Sequence, residues 1–143
     1  MLRVEGSDAN VLVIDASAHI RRLVTTLLGA LGVRSCSEAR GTVQAVAQVI
    51  KHQPDLIVLD LGGDATESLL FVHRLRRGEF GDRTLPVLGV SPSTHHAVLE
   101  LAWEAGVNDV IGKPISAIEV LQRAGALLEE RGKHDGSARA AAE

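Results

Sequence analysis

The chain is short of aromatic and sulfur-bearing residues. It has no tyrosine, one tryptophan (Trp103), two phenylalanines and a single cysteine, Cys36. One cysteine excludes an internal disulfide framework and a cysteine-based zinc cluster. So few rings leave no stacking platform for single-stranded nucleic acid. Positive charge is not concentrated either: 15 basic residues stand among 18 acids for a net charge of −3, without the basic stripe of a nucleic-acid-binding surface. No apolar run approaches the length of a membrane span, and no signal-peptide core is read at the N-terminus. The expectation is a soluble, cytoplasmic protein with neither nucleic acid nor membrane as partner.

What the chain does have is aliphatic. Its 45% apolar share comes mainly from Val, Leu, Ile and Ala, and 143 residues suffice for one domain with a substantial core. Residues 1–9 read as a flexible polar lead and 132–143 as a flexible tail, which leaves 10–131 for the domain. Within it, short apolar runs alternate with helix-period segments. The first helix is capped by Ser17 and carries Ile20, Leu23, Val24, Leu27 and Leu31 up to Gly32. Strands are expected at 33–36, 55–60, from 86 onward and at 109–112. The second helix would turn Val43, Val46, Ala47 and Ile50 inward; further helices are expected at 66–77, at 94–105 with Val98, Leu101, Ala102 and Ala105 as its core stripe, and from 117 to about 131. Five strand–helix units in strict alternation imply a parallel sheet with right-handed crossovers, in a three-layer doubly wound α/β fold.

Four polar residues each follow one of the apolar runs. Asp15 follows 11–14, Asp60 ends 56–59, Ser91 ends 85–90 and Lys113 follows 110–112. On parallel strands all four emerge at one carboxyl edge, where open α/β sheets bind ligands. A carboxylate there, Asp60, can act as a nucleophile toward phosphorus; alone it would read as a solvated loop aspartate. Asp15 can help hold a divalent cation, or simply enter the first helix. Lys113 is one of three lysines, a point charge suited to Asp60 at rest and to phosphoryl oxygens afterwards. Ser91 can donate a hydroxyl to phosphate, although Ser-Pro also starts turns.

These stretches, with Pro54-Asp55 before the third strand and Ala105-Gly106-Val107-Asn108-Asp109 before Lys113-Pro114-Ile115, resemble the receiver domain of bacterial two-component response regulators. The resemblance spans most of residues 10–130. It implies a flavodoxin-like sheet of order 2-1-3-4-5, and a phosphoryl group passed to Asp60 from a histidine kinase or histidine phosphotransfer protein. It further implies Mg²⁺ held by Asp15, Asp60 and the Gly62 carbonyl, with Ser91 and Lys113 reading the phosphorylated state. The face made by the fourth helix, fifth strand and fifth helix would contact a downstream protein or a second copy, through Leu99, Trp103 and Val110.

The chain departs from the family pattern around this centre. Ala16 stands where a second acid commonly ligates the metal, so Glu38 or Asp64 would have to compensate. Pro92 lacks the N–H that usually helps hold the phosphoryl oxygen. The loop 61–68 carries Gly62-Gly63 in place of the usual proline and Asp-Gly pair, and Val110 replaces the aromatic readout residue. Two readings follow: a single-domain regulator phosphorylated on Asp60, or a pseudo-receiver acting as an unphosphorylated interaction module. Catalysis of an enzyme's kind is not expected. A flavin carrier would share the topology but lacks a phosphate-cradling loop after the first strand. The six histidines and the cluster Arg74, Arg76 and Arg77 read as solvated surface.

Overall fold

The computed structural model of the chain describes residues 8–142 apart from Asp64 and Thr94, with side chains described as far as Gly132. Asp64 and most of the expected 1–9 lead therefore lie outside the described residues. The elements are β1 (Asn10–Ile14), α1 (Ala18–Ala30), β2 (Ser35–Ala39), α2 (Thr42–Lys51), β3 (Leu56–Asp60), α3 (Thr66–Arg76), β4 (Val87–Ser91), α4 (His96–Ala105), β5 (Asp109–Gly112) and α5 (Ala117–Ala142). All strand pairs are parallel, in the order β2-β1-β3-β4-β5.

Continuous apolar strands are what a sheet covered on both faces requires. Successive side chains of a strand point to opposite faces. Thus Leu12 and Ile14 of β1 join a core with Val49 of α2, Phe71 of α3 and Ala102 of α4. Val11 and Val13 point the other way, into a core with Val24 and Leu28 of α1 and Val120 and Ala124 of α5.

Helix ends decide several boundaries. Ser17 caps α1, its side chain accepting from the Ile20 N–H. At the other end the Gly32 N–H bonds to the Gly29 carbonyl and the Val33 N–H to that of Leu28, a Schellman closure. Val33 is thereby committed to the helix cap, and β2 begins at Ser35 rather than at residue 33. Gly106 ends α4 with φ of 106°, a left-handed conformation that a side chain disfavours. A Cβ there would also come within 2.7 Å of Arg76 Cγ.

Three expectations are corrected. In α2, Ala45 and Val49 face the core, while Val43 and Ile50 are 89% and 67% exposed. That helix is apolar on more than one side, and the small Ala45 lets it approach the sheet. Likewise in α4, Ala102 and Ala105 are buried and Leu101 is exposed. Finally, α5 continues to Ala142 instead of ending near Arg131. Alanine is the best helix former, and extending an existing helix adds one hydrogen bond per residue fixed, which offsets Gly132 and Gly136.

Candidate functional site

The topology carries Asp15, Asp60, Ser91 and Lys113 to the carboxyl ends of β1, β3, β4 and β5. Three of the four meet directly. Lys113 Nζ donates to Asp60 Oδ1 at 2.9 Å and to Asp15 Oδ2 at 3.4 Å. Asp15 is 5% exposed, and its Oδ1 accepts from the Ser17 N–H at 2.9 Å. Asp60 Oδ1 also accepts from the Gly62 N–H at 2.9 Å. Asp60 Oδ2 takes no hydrogen bond among the described residues. Burial works against the Lys113 ammonium, but the Asp60 hydrogen bond and the charges of Asp60 and Asp15 outweigh it and raise its pKa. The Lys113 N–H is tied to the Ser91 carbonyl, and the Lys113–Pro114 peptide is cis.

Ser91 is placed at this edge but turned to its own loop. Its hydroxyl donates to the Ser93 carbonyl at 2.7 Å and accepts from the Ser93 N–H at 3.2 Å. Gly62 meets Asp60 through its N–H rather than its carbonyl. A Cβ at Gly62 would lie 3.0 Å from Asp60 Oδ1 and 3.6 Å from Pro92 Cδ, a tight approach that glycine relieves where the loop after β3 passes the carboxylate. Ser68 Oγ holds the Asp60 carbonyl at 2.9 Å and fixes the strand end from the α3 side. Of the three residues on the expected partner face, Trp103 is 46% exposed; Leu99 and Val110 are half-buried, Val110 against the core beneath α4.

Arg21 is the residue near this edge that sequence reasoning passed over. Its Nη1 donates to the Asp15 carbonyl at 2.7 Å and its Nε pairs with Glu38 at 2.9 Å. Its place one turn after the Ser17 cap was the available signal, but a surface arginine has the same spacing. The pairing bears on whether a divalent cation fits. Such ions take six or more oxygen ligands, and charge count sets their affinity. Among the described residues no group of three His, Cys, Asp or Glu side chains could hold a metal. Asp15 and Asp60 both face Lys113, the Ala16 side chain offers no oxygen, and Glu38 is engaged. Among the described residues the two carboxylates at this centre both pair with Lys113, so a divalent cation would have to compete with that ammonium. A cavity of about 230 Å³ opens elsewhere, at the amino end of the sheet, between Thr84, Pro86 and Asn108 and the α5 residues Leu127, Glu130 and Arg131.

A further correction comes from that amino end. Arg76 is not solvated: its guanidinium donates to the carbonyls of Gly106 (2.9 Å), Arg83 (2.8 Å) and Leu85 (2.6 Å) and to Asn108 Oδ1 (2.7 Å). Burial lowers its pKa, with the charge of Asp82 acting in the opposite direction.

A doubly wound 2-1-3-4-5 sheet with an Asp–Lys–Asp cluster at its carboxyl edge defines a class, and comparison gives the family. The family model of the response regulator receiver domain matches residues 11–125, and the chain belongs to that family, a signalling domain of two-component systems. It is similar to the phosphate regulon transcriptional regulatory protein PhoB of Pseudomonas aeruginosa, 31% identical over 90% of this chain and 55% of the relative. Among solved structures it resembles the receiver domain of NtrX from Brucella abortus, with a TM-score of 0.73 and 26% identity over 83% of this chain and 98% of that one. The chemotaxis response regulator CheY4 of Vibrio cholerae shares the fold, with a TM-score of 0.75 and 22% identity over 84% of this chain and 98% of that one. The chain spans about half the length of the curated relatives it matches first. Among the described residues, no helix is long and apolar enough to cross a membrane.

Proposed function

We propose that Asp60 accepts a phosphoryl group from a phosphohistidine of a histidine kinase or phosphotransfer protein. The observation that carries this reading is the division of labour between the two Asp60 oxygens. Oδ1 is held by Lys113 and the Gly62 N–H, which orients the carboxylate and leaves Oδ2 open. Oδ2 attacks phosphorus, the P–N bond breaks, and the imidazole leaves with the electron pair and takes up a proton. The resulting acyl phosphate brings more negative charge to Lys113, the fixed cation of the site. Ser91 would have to leave the Ser93 carbonyl to donate to a phosphoryl oxygen. Pro92 would supply no N–H beside it.

Output in this reading is by protein–protein contact, with a downstream protein or a second copy, on the α4 side where Trp103 is exposed. Trp103→Ala should abolish that association and leave the fold intact, and unchanged sedimentation would remove this face from consideration. Incubation with phosphoramidate and Mg²⁺, read by intact mass, tests the chemistry. One added phosphoryl group is expected, lost in Asp60→Asn. A chain that stays unmodified would favour the pseudo-receiver reading, which the closed Ser91 hydroxyl and Ala16 support. The site would then be a fixed scaffold for constitutive contacts.

A further inference from the structure

The positive charge at the strand-end site comes from the chain itself. Lys113 Nζ lies between Asp60 Oδ1 and Asp15 Oδ2, at 2.9 and 3.4 Å, in the space a cation shared by those carboxylates would need. Arg21 adds a second fixed charge beside Asp15, bridging its carbonyl to Glu38 across the ends of β1 and β2. Glu38 is thus neutralised by an arginine whose side chain is only 13% exposed. The position after Asp15 is Ala16, whose side chain has no ligand atom to offer.

We propose that this site uses the Lys113 ammonium as its resident cation and binds divalent cations only weakly. This rests on reading Asp15, Asp60 and Lys113 as the receiver site. An incoming dication would have to displace Lys113 from two carboxylates. It would approach an arginine already paired, and among the described residues it would find only the carboxylates of Asp15 and Asp60. At such sites the number of charged oxygens sets the affinity.

Calorimetric titration of the full chain with Mg²⁺, and with Mn²⁺ followed by electron paramagnetic resonance, tests this directly. The wild type should show no saturable binding below about 1 mM. Ala16→Asp adds a carboxylate beside Asp15 and should tighten binding by about tenfold or more. Lys113→Gln removes the resident charge and should also tighten it, which keeps the test decisive if circular dichroism shows that Ala16→Asp does not fold. Saturable wild-type binding below that concentration would overturn the proposal. So would wild-type affinity in every folded variant. No phosphodonor is present in these titrations, so a chain that never takes a phosphoryl group on Asp60 would still give either result.

Discussion

The two ends of the sheet handle positive charge in opposite ways. At the amino end, Arg76 gives each guanidinium edge a fixed acceptor: three carbonyls and the Asn108 amide oxygen. Beside it Arg131 joins Asp82 at 2.8 Å and Thr84 at 2.9 Å, pinning the same approach to β4 from α5. At the carboxyl end one ammonium divides itself between two carboxylates at unequal distances, with its side chain 24% exposed. A planar fork with several donors can be matched acceptor by acceptor, whereas an ammonium is a point charge. The Arg76 clamp is therefore matched donor by donor. The carboxyl end is left one positive charge short, so its arrangement depends on the charge that arrives there.

Breaking the amino end should have the larger effect. Arg76→Ala leaves the Gly106, Arg83 and Leu85 carbonyls without this donor, and unsatisfied buried acceptors cost about 1–3 kcal/mol each. A loss of about 3 kcal/mol or more is expected in urea denaturation, even if water reaches some of the exposed carbonyls. Gly106→Ala attacks the same contact from the other side. It strains a left-handed residue and presses on Arg76, for about 1–2 kcal/mol.

The ends should also fail at opposite extremes of pH. Burial works against the Asp82 carboxylate, but bonds from Thr84 and Arg131 hold its pKa at about 2, below the ordinary 3.8. Its contribution is complete above 3.8 and is lost as pH falls through about 2. Lys113 is raised above the ordinary 10.5, so its contribution is complete below 10.5 and is lost only at higher pH, through its folded value. Asp82→Asn should flatten the acid limb of a stability–pH curve and Lys113→Gln the alkaline limb. An acid limb unchanged in Asp82→Asn would detach that carboxylate from the amino-end clamp.

The carboxyl end was the more legible of the two in the sequence. Polar residues that end apolar runs are brought to one edge by parallel topology, and Asp15, Asp60, Ser91 and Lys113 all arrive there. The β5 limits were also readable, because Gly106 closes α4 just before that strand. Arg76 was not, since its acceptors are backbone groups and an amide up to 32 residues away and no side-chain pattern announces them. The inward face of α2 was obscured for a different reason. Val43, Val46, Ala47, Val49 and Ile50 offer competing apolar stripes, and only the fit of Ala45 and Val49 to the sheet selects one. The orientation of the Ser91 hydroxyl was equally hidden, because a serine before proline satisfies a turn and a ligand with the same atom.

Asp60→Asn should have the smallest effect, and it tests the under-matched end most sharply. It removes an ion pair whose two side chains are each about a quarter exposed, a pair worth no more than about 1 kcal/mol after screening. Against that loss, the repulsion between Asp15 and Asp60 disappears and Lys113 is free to settle on Asp15. The new amide oxygen can still accept from the Gly62 N–H, so the loop after β3 keeps its anchor. Stability in urea should therefore stay within about 1 kcal/mol of the wild type, in either direction. A loss as large as that of Arg76→Ala would mean that Lys113 and Asp60 form as closely matched a unit as the arginine clamp. The two ends of the sheet would then differ in chemistry but not in how closely they are matched.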